Sequence, residues 1–366
     1  MKYKEEKTVI ESSKLPRNIY GIVPLESTTG KPNTCHCQGI CVDTEKKYIY
    51  MSFTTSLLKM DLQGNVVGSV TGLLGHLGCI DFNDRDGKVY GSLEYKNDAI
   101  GKNILAHIGS DAKIENAFYI VSFDVDKIDR IGMDASRDGV MKSVYLRDPV
   151  EDYHATAINQ GREVEHRYGV SGIDGTTFGP MPGANDGKQY LFVACGIYGD
   201  VERTDNDHQI ILCYDTENWD EYAQPLNQGN MHHSGPEKPL HRFWVYTGNT
   251  TWGVQNLEYD PYSGNFIMVV YRGKKPQFAN DVIYMIDGSK APVNGKLVGI
   301  EPEEEGELLS LYGSNWTYTH GATGIHSFGD GYFYVSYHGN DPEKGQYTNV
   351  KLCKWDGKGP IALVED

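Results

Sequence analysis

Short apolar and aromatic runs alternate with Gly- and Asp-containing turns along the whole chain, and the same order of runs returns five times. The first run of each copy enters through glycine or a small polar residue: Gln38-Gly39-Ile40-Cys41-Val42, Leu77-Gly78-Cys79-Ile80, Ser171-Gly172-Ile173, Val254-Gln255-Asn256-Leu257 and Thr323-Gly324-Ile325. The second is rich in aromatic and β-branched residues: Tyr48–Met51, Val89–Ser92, Tyr190–Val193, Phe266–Val269 and Tyr332–Val335. Asp-Gly precedes it in three copies, a strong hairpin signal. The third run ends on an apolar residue followed by Asp, at Asp61, Asp124, Asp215, Asp287 and Asp356. Runs of four to eight such residues bounded by turns are strands. Five copies of a three-strand phrase, with a weaker fourth strand at the outer edge, predict an all-β propeller. Five blades are favoured; six or seven would need a degenerate blade hidden in 97–170 or 216–251.

Residues 1–366 are expected to form one domain. Successive Asp markers lie 63, 91, 72 and 69 residues apart, whereas a minimal blade takes about 40–45. The surplus falls in inserts at 97–116, 148–170 and 216–241. Helix signals are scarce; the nearest is the Gly-interrupted 97–116 insert, which does not support a helix by pattern. Residues 1–35 are expected to supply a closing strand, with Thr8-Val9-Ile10 as the candidate.

Composition narrows the partners. Apolar residues make up 39% and charged residues 23%, enough for a large core. The formal charge of −16 argues against nucleic acid and anionic membranes. No stretch is long and apolar enough to span a bilayer, and the first residues lack the apolar core of a signal peptide. A cytoplasmic location is therefore expected. Seven cysteines, most of them inside predicted strands, suit buried thiols in a reducing compartment.

In a blade, the approach to the first strand and the turn from second to third share one face. The approaches carry His36, His76, Tyr168, Trp252 and His320, and the second strands end at Tyr95-Lys96, Tyr198, Tyr271-Arg272 and Tyr337-His338. One rim is thus expected to gather histidines, two cations and a ring of tyrosines. Such a group suits acid–base work: Arg272, Lys96, Trp252 and Tyr198 as substrate-binding residues, and His76, His320, His338, Tyr271 and Tyr337 as catalytic candidates. Arg272 would clamp a carboxylate and Trp252 would stack on a ring. His36, His76 and His320 are candidate ligands for a divalent metal ion. Asp81, Asp174 and Glu258 lie along three first strands and are the carboxylates a hydrolytic site would use.

The blade phrases, and the rim of His36, His76, Tyr271-Arg272, His320 and Tyr337-His338, resemble the β-propeller carbohydrate-active enzymes, namely propeller polysaccharide lyases and five-bladed glycoside hydrolases. The chain departs from both, with five blades where the lyases generally have seven, and without the local motifs of the hydrolases' acidic trio. The resemblance implies an enzyme acting on an acidic, uronate-containing sugar or oligosaccharide by His/Tyr elimination or metal-assisted chemistry. A glycoside hydrolase using the channel carboxylates, and a non-catalytic scaffold or ligand-binding propeller, are the alternatives.

Overall fold

A computed structural model describes residues 10–23, 35–313, 318–359 and 361–364. Its strands form five radial sheets and a separate two-stranded hairpin (Thr156–Asn159 with Arg162–Glu165), and the innermost strands a of the five follow one another around a central channel in the order of the chain. Blade 1 comprises Cys37–Val42, Tyr48–Phe53, Ser56–Asp61 and Val66–Thr71. Blade 2 comprises His76–Asn83, Lys88–Tyr95, Ala117–Phe123 and Met141–Tyr145, and blade 3 Val170–Gly179, Tyr190–Ile197, His208–Tyr214 and His241–Tyr246. Blade 4 has Thr250–Asp260, Asn265–Arg272 and Ile283–Ile286. Its fourth strand is reduced to a bridge between Ile286 and Leu311. Blade 5 has Ile325–Ser327, Tyr332–Asp341 and Gly345–Lys354, and its outer strand comes from the other end of the chain: Asn18–Ile22 pairs antiparallel with Gly345–Lys354.

The closing strand therefore lies within the expected N-terminal segment but at a different place. Thr8 and Val9 fall outside the described residues, and Ile10 belongs to no strand. Ile19, buried in the core between blades 5 and 1, is what anchors Asn18–Ile22.

Blades pack face to face through four apolar cores, so the b strands are buried on both faces. That is why their sequences read as continuous apolar runs instead of alternating. The a strands crowd the axis, and glycine is required where they come closest. A Cβ on Gly324, which sits at φ +143°, would stand 2.9 Å from Ile40. The Asp markers build the turns that follow the c strands: Asp61 accepts from the Asn65 amide, Asp215 from the Glu217 amide, Asp287 from Ser289 and Asp356 from the Lys358 amide. They lie on the face opposite the rim.

Two helices occur among the described residues. The first, α1 (Ala99–Ile108), fills the insert whose pattern did not support a helix. Asp98 caps it by accepting from the Gly101 amide, and Gly109 ends it in the left-handed conformation. The capping pair outweighs the internal glycine, Gly101, whose missing Cβ lets the helix start against the Lys96 carbonyl. The second, α2 (Arg147–His154), lies in the 148–170 insert. No helix among the described residues is long and apolar enough to cross a membrane.

Candidate functional site

On the face where the a strands begin, the channel widens into a pocket of about 400 Å³. Blade 1 supplies His36 and Gln38, blade 2 His76, Glu94 and Lys96, blade 3 Asp174, and blade 4 Trp252, Gln255 and Tyr271. Helix α1 adds a wall through Ile100, Asn103, Ile104 and His107.

Blade 2 carries most of the charge. Glu94, near the end of Lys88–Tyr95, and Lys96, the residue just past that strand, are two positions apart, and both line the mouth. Lys96 Nζ lies 2.5 Å from Glu94 Oε1 and donates to the Ser171 carbonyl at 3.0 Å. The other Glu94 oxygen accepts from the Ile173 amide at 3.0 Å. Gly172, at φ +151°, makes room: a Cβ there would fall 1.7 Å from Glu94 Oε2. Burial pushes the Glu94 carboxyl upward against the pull of Lys96. For Lys96, burial opposes the charge, but the carboxylates of Glu94 and Asp98 outweigh it and hold the amine above its ordinary value. The pair is thus an ion pair, and the expected open cation at Lys96 is instead neutralised.

His76 Nδ1 faces Glu94 Oε1 at 3.6 Å, buried and without a hydrogen-bond partner. Burial, followed by Lys96 and His36, pushes its pKa down to about 3, so the imidazole is neutral. Asp174 accepts from the Cys79 amide at 3.1 Å. Burial first and the Glu94 charge second raise its pKa well above the ordinary carboxylate value, which favours the protonated form. Tyr271 is pushed up to about 12, chiefly by burial. Trp252 is 37% exposed and held at φ +67°. A bulky residue in that region costs energy and is a marker of functional sites. Tyr198 supports it from behind, edge-to-face at 5.6 Å, while its hydroxyl donates to Asp98 at the start of α1.

The expected rim is divided. His320, His338, Arg272 and again Tyr271 line a second recess of about 220 Å³. His320 stacks on Tyr337 at 4.0 Å, and the Tyr337 hydroxyl is 2.8 Å from that of Tyr318. His36 bridges the two recesses, with its ring 5.8 Å from that of His338. The candidate metal set of His36, His76 and His320 does not converge: His36 and His76 line the mouth pocket, whereas His320 lines the second recess. Among the described residues, the three side chains whose potential ligand atoms lie within 4.8 Å of one another are Asp81, Glu258 and His326.

The candidate carboxylates are also divided. Asp174 faces the mouth, whereas Asp81 and Glu258 lie farther along their strands, towards the other end of the channel. Register shifts in the a strands of blades 2, 3 and 4 decide these orientations. Glu94 was missed by the sequence reading, although its i, i+2 relation to Lys96 is written in the chain. Nothing in the sequence pairs His76 with it across the hairpin.

No family model matches the chain, and no curated protein matches it. Solved structures similar to it include a Dos1 propeller (9% identity, 95% of this chain, 74% of that one, TM-score 0.37). Others are a Kuenenia stuttgartiensis hydrazine synthase (12%, 93% and 68%, 0.34) and a functionally unknown protein from Desulfotomaculum acetoxidans DSM 771 (11%, 98% and 78%, 0.33).

Proposed function

We propose that the protein is a carbohydrate-active enzyme that cleaves a sugar linkage in the mouth pocket by acid–base chemistry. The observation that carries this reading is the meeting of a neutral imidazole backed by a carboxylate (His76 and Glu94) with a buried carboxyl whose pKa burial raises (Asp174), beside the exposed ring of Trp252. His76 is the base. Its proton-poor imidazole takes a proton from the attacking water, and Glu94 stabilises the imidazolium that forms. Asp174 is the acid, donating its proton to the leaving oxygen. Trp252 offers a stacking face, while Gln38, Gln255 and Asn103 suit hydroxyl groups. The cation of the pocket is already paired with Glu94, which favours a neutral sugar ring at the cleavage point.

A second reading, elimination on a uronate, is favoured by one feature. Tyr271 lines both recesses, so a sugar in the mouth can direct its carboxylate past Tyr271 to Arg272. His76 would then remove the proton beside that carboxylate. The possible metal-assisted route through His36, His76 and His320 has no converging site to support it.

The test is turnover of neutral and uronate-containing oligosaccharides, reading both reducing ends and ultraviolet absorbance of an unsaturated product. Reducing ends alone mark hydrolysis; the absorbance marks elimination. Asp174→Asn and His76→Gln are expected to lower kcat/KM by about 10²–10⁴-fold each. The rate of the wild type is expected to fall as pH rises through the elevated pKa of Asp174. Unchanged rates in both variants, or no turnover of either substrate class, would overturn the proposal.

A further inference from the structure

We propose that Asp81, Glu258 and His326 form a binding site for one divalent transition-metal ion that ties blades 2, 4 and 5 together across the channel.

The three side chains come from a strands on three different blades, and their potential ligand atoms already lie within 4.8 Å of one another. Two carboxylates and one imidazole make a donor set of two oxygens and one nitrogen with a charge of −2 when ionised. Ligand bonds of about 2.0–2.2 Å would draw them together by small side-chain rotations. Oxygen donors suit Mn²⁺, imidazole suits Zn²⁺ and Fe²⁺, and the mixture points to a first-row divalent ion.

Two further observations point to a cation. The first is an unmet hydrogen-bonding atom: His326 Nδ1 is buried, faces Glu258 Oε1 at 3.5 Å and has no hydrogen-bond partner. The second is a pair of buried carboxyls held by amides and one hydroxyl, with no Lys or Arg paired to either among the described residues. Asp81 is held by the amides of Phe82 (2.7 Å) and Phe178 (2.8 Å) and by the Thr177 hydroxyl (3.1 Å), and Glu258 by the Ser327 amide (2.5 Å). Lys46 acts on His326 electrostatically, but its ammonium is bound to the Ile10 carbonyl and the Ser12 hydroxyl. Ser327 and Thr177 hold the carboxylates from behind, as outer partners of metal ligands do.

The test is calorimetric titration of the chelator-stripped full chain with Zn²⁺ and Mn²⁺. One equivalent is expected to bind, and Asp81→Asn and His326→Gln are each expected to weaken binding by about 100-fold or more. Thr177→Val, which removes only a supporting hydroxyl, is expected to weaken it about 10-fold. No binding to the wild type would overturn the proposal and leave a carboxyl pair sharing a proton. Wild-type affinity in Asp81→Asn and His326→Gln would overturn it equally. Should both fail to fold, unchanged affinity in Thr177→Val would overturn it and a weaker one would support it. Metal affinity is read without turnover, so the outcome is independent of the reaction at the mouth.

Discussion

Lys96 and Glu94 illustrate how a buried pair behaves as a unit. Each is almost sealed from solvent, and each is the other's main compensation. Removing one leaves the other as an unpaired buried charge, at a cost of about 3–5 kcal/mol, whereas removing both costs far less. Lys96→Met is therefore expected to lower stability more than Lys96→Met with Glu94→Gln, measured by urea denaturation at neutral pH. Similar losses in the single and double variants would show that the pair contributes no coupling. His76 carries a second consequence. Its folded pKa of about 3 lies below the ordinary value of 6.5, so the unfolded chain binds the extra proton first. The stability it contributes is present above about pH 6.5 and lost as pH falls towards 3. His208 (about 4) and His326 (about 3) act in the same direction. His76→Gln is expected to flatten the acid limb of the stability profile, read from denaturation midpoints between pH 7 and 4. At this scale the chain itself displays the i, i+2 relation of Glu94 and Lys96. It does not display that His76 meets Glu94, because that contact crosses a hairpin with a register shift between Leu77 and Ile80.

Strands a, b and c were legible as elements because turn chemistry brackets them. The outer strands were not, and the fold shows why. In blade 5 that position is filled by the distant Asn18–Ile22, and in blades 1 and 3 the edge beyond the local fourth strand is covered by segments from elsewhere. Blade 1 gains Met133–Asp134 in parallel from the blade 2 connection, and blade 3 gains Glu305–Leu308 in parallel from the segment after blade 4. An edge that accepts a strand from elsewhere places few demands on local sequence, so no local pattern marks it. Both additions also cover exposed hydrogen-bonding edges, which would otherwise recruit foreign strands. The closing strand Asn18–Ile22 depends on one deep contact. Ile19→Ala is expected to cost about 2–4 kcal/mol in chemical denaturation, and a loss below 0.5 kcal/mol would show that this strand does not hold the ring shut. Helix α1 was hidden by Gly101 and Gly109, although the first is the residue that permits its close start and the second its stop.

The ring as a whole gives its channel two chemically different ends. The mouth collects His76, Glu94, Lys96 and Asp174 under α1, and the far end collects Asp81, Glu258 and His326. The blade count and the rim face follow from repetition, which is a property of sequence. The partition of the polar residues does not, since bulges in the a strands choose which side chains face the axis. Closure has a mechanical consequence too. Asn18 pairs with Lys351, so the first residue of the closing strand lies beside the last residues of the strand it joins. A force applied through Asn18 and Lys354 therefore loads the hydrogen bonds one after another, as a zip opens, instead of shearing them together. Tension between the two ends would peel this strand from blade 5 while the other four blades remained intact.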